Sequence, residues 1–412
     1  MKTGFAKIIL FGFCIIAVAV ILLRWKINDR AEALKTLENV YRVEFDLFND
    51  EIHVRATSPK IKDLNQLAAL IERAEKLKSG EKLVPWVLDL TGNPNLKTFH
   101  GVSRLQGLRS IIAVDCPKLE NLNGISGLPH LSELLVSHNG ALRDISAIKN
   151  LPSLVTLDLT ASSLLLKFDV TGLPSLENLY LSGCHSLESL DVTTHGNLKQ
   201  LYLDGCRFIE AIEGLGQLTQ LTDLDVSNCQ KLRNLKGLTN LGELIVLDMR
   251  NIELPDFSVI GELPKLDTLR LAGQGGLSSL APFSGLQSLR EIYVESCPNL
   301  VSVAGLPATA EYLGVVRCDN LKSLDGIDSA SDLQHVDFTS CDGLEDTSAL
   351  GKLQELTRLS FLSCRKISDI SHLQENKKLA LVRLGGTGVV PTDIEPLQEL
   401  LPDTVFDFSE PE

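Results

Sequence analysis

From Pro85 onward, leucine and its apolar substitutes keep to one frame, L-x-x-L-x-L-x-x-C, clearest in "LENLYLSGC" (176–184), "LKQLYLDGC" (198–206) and "LTDLDVSNC" (221–229). Its first positions are Pro85, Leu108, Leu131, Leu154, Leu176, Leu198, Leu221, Leu244, Leu266, Leu289, Ala310, Leu333, Leu356 and Leu379, in steps of 21 to 23 residues, and a degenerate further copy is read at Leu401. Within L-x-L the alternation is that of a strand: the leucines point inward and the residue between them outward. One such strand per copy stacks into a parallel sheet with about 4.8 Å between neighbours. No copy can bury its leucines alone, so each depends on its neighbours and the two ends need caps. The pattern predicts an α/β solenoid of about 14–15 repeats over 84–400, closed by 401–412, where Phe406 and Phe408 can cover the last rung.

Upstream, the pattern changes. Residues 24–83 predict a juxtamembrane helix and a small α+β N-terminal cap. Here "YRVEFDLFNDEIHVR" alternates around Asn49-Asp50 like a hairpin, and "KDLNQLAALIERAEKLKSG" has helical spacing that ends at Gly80. Before them, behind a short tail of residues 1–7, "IILFGFCIIAVAVILL" (8–23) is uncharged and flanked by Lys2, Lys7, Arg24 and Lys26. It predicts a transmembrane signal-anchor helix of roughly 24 Å, with Trp25 at the interface. Ala17 and Ala19, in an A-x-A arrangement, leave a cleaved signal peptide as the alternative.

The repeat resembles the leucine-rich-repeat family, whose "LxxLxLxxN/C" motif is matched by the copies quoted above and by "LREIYVESC" and "LTRLSFLSC". The second half of the unit, as in "PKLENLNGISGLPH", is similar to the short repeats of bacterial internalin-type proteins. The resemblance covers the chain from about Leu83 onward and implies a horseshoe with one parallel strand per repeat.

Eight cysteines, Cys116, Cys184, Cys206, Cys229, Cys297, Cys318, Cys341 and Cys364, occupy the ninth position of the frame; elsewhere it holds Asn93, Asn139, Ser162, Ile252, Gln274 and Thr387. That position follows the strand where the chain turns inward, so a ladder of small buried fillers with weak donors is the expected role. No C-x-x-C spacing with matching histidines argues for zinc.

The outward strand positions are where recognition is expected. The middle column reads Asp89, Ile112, Leu135, Asp158, Tyr180, Tyr202, Asp225, Asp248, Arg270, Tyr293, Gly314, Asp337, Ser360 and Arg383. Four of the five tyrosines, Tyr180, Tyr202, Tyr293 and Tyr312, land on this face, with Asn178, Gln200, Asp204, Asp223, Arg250, Glu291 and Glu295 around them. Tyrosine combines a large contact area with a polar tip, which suits a protein-binding patch. Arg270 is read as relief for its carboxylate neighbours.

Charge narrows the partner. At a net −14, from 53 acidic and 39 basic residues, the chain repels nucleic acid and accommodates a basic or neutral ligand more easily. No G-x-S-x-G, H-E-x-x-H or P-loop motif appears, and His130 and His138 read as exposed loop residues, so neither catalysis nor a cofactor is expected. The expectation is a single-pass bacterial inner-membrane protein with its repeats in the periplasm, binding a protein or peptide on its concave face. The alternatives are cytoplasm-facing repeats and a scaffold subunit of a membrane-associated complex.

Overall fold

The computed structural model describes residues 35–36, 38–48, 51–75 and 86–410. These fall into two compact units, one made of the residues up to Leu165 with Val170–Leu176, the other of Leu166–Asp169 and the chain from Glu177 on.

In the first unit, β1 (Val43–Phe48) and β2 (Glu51–Ala56) pair antiparallel, and β2 then pairs parallel with β3 (Trp86–Asp89). The sheet continues in parallel through β4 (Leu108–Ile112), β5 (Glu133–Leu135) and β6 (Thr156–Asp158). Helix α1 (Asn65–Glu75) turns Leu67, Ala68 and Ile71 into the core. The expected end of this helix at Gly80 lies outside the described residues.

The second unit repeats one motif. Strands β8 (Asn178–Tyr180), β10 (Gln200–Tyr202), β12 (Asp223–Asp225), β13 (Val246–Arg250), β14 (Thr268–Ala272), β15 (Glu291–Glu295), β16 (Tyr312–Val316), β17 (His335–Thr339), β18 (Arg358–Ser360), β19 (Leu381–Arg383) and β20 (Val405–Asp407) pair in parallel, each with the next. A second sheet, of β7 (Lys167–Phe168), β9 (Ser189–Asp191) and β11 (Ile212–Glu213), aligns Phe168, Leu190 and Ile212. Later rungs close instead with 3-10 turns, such as Leu215–Gln217 and Ser348–Lys352. Helix α2 (Glu395–Leu400) precedes the last strand.

From β8 to β19 the register read from the leucines holds: Leu179, Leu201, Leu224, Leu247, Leu269, Ile292, Leu313, Val336, Leu359 and Val382 stand in line and are buried. Phe338 and Phe361 stack within the second inward column, 6.0 Å apart. At the end of the chain the frame shifts: Val382 pairs with Phe406, which places the last copy two residues later than a frame starting at Leu401. The turn through α2, with Pro396 near its start, takes up the difference.

The expected membrane helix over 8–23 lies outside the described residues. Among the described residues no helix is long and apolar enough to cross a membrane. The localisation inferred from the sequence, a single-pass inner-membrane protein with periplasmic repeats, is corrected on that ground, and with it the membrane as a partner. The inference rested on the hydropathy of one short run, and the described helices are short and amphipathic.

Candidate functional site

Each rung leaves its strand through the same turn, and that turn builds the ladder. The residue before the ladder position has φ between 51° and 74° in all fourteen copies: Gly92, Asp115, His138, Ala161, Gly183, Gly205, Asn228, Asn251, Gly273, Ser296, Arg317, Ser340, Ser363 and Gly386. This left-handed step drives the next side chain into the core. There Cys206 Sγ donates to Leu181 O at 3.2 Å and Cys229 Sγ to Leu203 O at 3.2 Å, each a carbonyl of the preceding rung. Where asparagine or glutamine holds the position the same carbonyls are reached: Asn139 Nδ2 donates to Ala113 O at 2.8 Å, Gln274 Nε2 to Met249 O at 3.0 Å. The ladder side chain thus adds a second donor to a carbonyl of the preceding turn: Leu181 O and Leu203 O already accept the Cys184 and Cys206 N–H, at 3.1 and 2.9 Å.

All eight ladder cysteines are buried free thiols. Burial pushes the Cys116 thiol up to about 11 and the Cys229 thiol up to about 12, and raises Cys206 further. In the Cys297–Cys318 pair a thiol–thiol hydrogen bond pulls Cys297 down and Cys318 up, while burial favours the neutral form of the pair as a whole. Nucleophilic chemistry needs an exposed thiolate, which this environment opposes. Among the described residues no group of three or more His, Cys, Asp or Glu side chains could hold a metal ion.

The tyrosines meet in two pairs on the outward strand face of the second unit. Tyr180 and Tyr202, opposite each other on β8 and β10, lie 5.3 Å apart between ring centroids, and Tyr180 OH donates to Gln200 Oε1 at 2.6 Å. Tyr293 and Tyr312 lie 4.7 Å apart. Room for this second pair comes from Gly314, the register partner of Tyr293: a Cβ there would stand 3.0 Å from the Tyr312 hydroxyl and 3.4 Å from Tyr293 Cδ1. Arg270 packs its guanidinium 5.5 Å from the centre of the Tyr293 ring, a cation–π contact and not the carboxylate partner expected of it. Burial, ahead of the nearby Asp223 and Glu291 respectively, raises Tyr202 and Tyr293 above the usual phenol value. Burial, then Asp337, pushes Tyr312 up to about 12, so all three are neutral donors.

Between the pairs, the carboxylates are engaged with the protein itself. Asp248 is buried and holds Arg250 through Nη2–Oδ2 at 2.8 Å, and that hydrogen bond raises the Arg250 guanidinium. Asp225 accepts the Ser227 N–H at 2.9 Å, and burial raises its carboxyl. Asp204 accepts Ser227 Oγ–H at 2.9 Å and Asn228 Nδ2–H at 2.6 Å; Asp223 accepts the Thr222 hydroxyl at 2.6 Å. Glu295 pairs with Arg317. The face thus offers tyrosine rings framed by acidic groups that are already engaged in part, with Asn178 and Glu291 half-exposed at its margin.

Sequence reading missed the left-handed column and the capping role of the aspartates. The signal for the caps was present in Asp89-Leu90-Thr91, Asp158-Leu159-Thr160 and Asp225-Val226-Ser227, where the aspartate accepts the N–H two residues on, each at 2.9 Å.

No protein-family model matches the chain, and no curated protein matches it by sequence. Solved structures do. An internalin of Listeria monocytogenes is similar at 18% identity and TM-score 0.50, over 83% of this chain and 87% of that one. A leucine-rich-repeat protein of Leptospira interrogans is similar at 18% identity and TM-score 0.56, over 91% and 98%. The fold is the leucine-rich-repeat fold. The functional domain of InlJ from Listeria monocytogenes, which includes a cysteine ladder, is also similar at TM-score 0.40; the ladder in this chain rests on its own hydrogen bonds.

Proposed function

We propose that this is a noncatalytic binding protein whose second unit presents its outward strand face, centred on Tyr180, Tyr202, Tyr293 and Tyr312, to a protein or peptide partner. The observation that carries the reading is the pairing of four of the chain's five tyrosines on one face, on rigid strands, with ring contacts that hold them in place. Side chains fixed before binding lose little rotamer freedom on docking, and half-buried tyrosines supply apolar area with a hydroxyl at the tip. By register, the Tyr202 and Tyr293 strands are four rungs apart, roughly 19 Å at ~4.8 Å per rung, which suits an extended segment spanning both pairs. The proposed contact set is Asn178, Gln200, Asp204, Asp223, Asp225, Asp248, Arg250, Arg270, Glu291 and Glu295 around the tyrosines, with Asp248 and Arg250 supporting rather than touching the ligand.

The test is selection of binders from a displayed random-peptide library on the full chain, followed by titration against Tyr180→Ala and Tyr293→Ala. Each substitution should weaken selected peptides at least tenfold, a loss typical of a binding hot spot. Peptides that bind both variants as tightly as the parent would move the binding surface elsewhere. Leu166 and Phe208, exposed apolar side chains of the second unit away from the strand face, favour a second reading, a scaffold that makes its contacts there.

A further inference from the structure

Beyond Tyr312 the same face changes character. A cavity of about 170 Å³ opens over β16 to β19, its walls including Tyr312, His335, Asp337, Arg358, Ser360 and Arg383. The register explains its shape. Ser360 stands between Asp337 and Arg383 in the middle outward column, and Arg358, two residues earlier on the same strand, lies between His335 and Leu381. A serine beside two arginines makes a depression, with its hydroxyl buried beneath the floor.

Two features of that depression point to a ligand. Ser360 is 8% exposed, and its Oγ has no hydrogen-bond partner among the described residues. A buried hydroxyl left unpaired is costly, so it awaits an acceptor. Both arginines beside it are exposed and form no ion pair within the hydrogen-bonding limit among the described residues, whereas Arg250, Arg270 and Arg317 are each held by a neighbour. Asp337 accepts the Thr339 hydroxyl at 2.9 Å, and Asp407 is the register partner of Arg383 on its other side. The cavity wall carries the two guanidinium groups and the Asp337 carboxylate, with Asp407 beyond it on the Arg383 side and in electrostatic contact with that arginine, so it suits one carboxylate rather than a dianion.

We propose that this cavity is a carboxylate subsite: Arg358 and Arg383 flank one carboxylate of the peptide or protein ligand, and the Ser360 hydroxyl donates a third hydrogen bond to it. This rests on the strand-face reading above and adds to it the chemistry at one end of the ligand. It also sets two exposed arginines at one end of the face of a chain whose net charge is −14.

The experiment follows the arginine Nε–H signals of the full chain labelled with 15N-arginine, assigned with Arg358→Gln and Arg383→Gln. The probes are the α-amide of N-acetylglutamate, with a side-chain carboxylate; N-acetylglycine, with a terminal one; and the neutral α-amide of N-acetylglutamine. The Arg358 and Arg383 signals should move saturably with at least one carboxylate probe and stay still with the glutamine amide; the tighter of the two carboxylates tells side chain from chain terminus. Ser360→Ala, which removes one oxygen and no packing, should weaken the probe roughly tenfold, as loss of a charge-assisted hydrogen bond does, without lowering the melting temperature. Arginine signals that ignore both carboxylates, or respond equally in Ser360→Ala, would overturn the subsite. The carboxylate probes carry no group for the tyrosines and report on the arginine signals alone, so failure of the tyrosine-face reading, scored with selected peptides, and failure of this one are read separately.

Discussion

Residues held in an uncomfortable backbone conformation show how far the repeat overrules local preference. Glycine and asparagine tolerate positive φ, but Ala161 at 59° and Ser340 at 54° do so only because the rungs on either side fix the turn. Ala161→Gly should therefore stabilise the chain by about 0.5–1 kcal/mol, relief of the strain less glycine's greater unfolded entropy, measurable as a higher urea midpoint. His195 is a second misfit. It occupies a column held in neighbouring rungs by Leu173, Leu218 and Leu241, is buried against Phe168 at 5.8 Å, and its Nε2 has no hydrogen-bond partner among the described residues. Burial holds its pKa below the ordinary 6.5, so as the pH falls below that value the unfolded chain takes up the proton first and stability drops. His195→Leu should raise the thermal midpoint at neutral pH, by about 1–3 kcal/mol of recovered stability, and flatten the decline below pH 6.5. The ladder thiols give a plainer readout: with a disulfide reagent, Cys116, Cys184, Cys206, Cys229, Cys297, Cys318, Cys341 and Cys364 should react only as the chain unfolds.

At the scale of one rung, fit is set by backbone approach. Gly305, at φ 96°, faces the preceding rung so closely that a Cβ would lie 2.3 Å from Ala281 Cα. Gly305→Ala should cost on the order of 2–4 kcal/mol, since two rungs must separate, and circular dichroism with urea would measure it. Such a contact cannot be read from sequence, because it depends on where a neighbouring turn sits. What could be read was the register: leucine at fixed spacing decides which way every strand residue points, and Tyr180, Tyr202 and Tyr293 came out in one column for that reason. The state of the aspartates in that column could not, since Asp225 and Asp248 look like free surface charges until Ser227 and Arg250 are seen to occupy them. The arginine pair was hidden for a similar reason, because Arg358 and Arg383 belong to different rungs and meet only through Ser360.

For the molecule as a whole, the proposed function gives a stack of leucine-rich rungs the task of holding two tyrosine pairs in space. The fifth tyrosine makes this testable within one sample. Tyr41 is buried in the first unit, where its hydroxyl donates to Gln66, and it belongs to no part of the strand face. With ring-13C tyrosine in the full chain and a peptide selected for binding, the signals of Tyr180, Tyr202, Tyr293 and Tyr312 should shift together while that of Tyr41 stays in place. A peptide that binds and leaves those four rings unmoved would contradict the claim that this face is the binding surface.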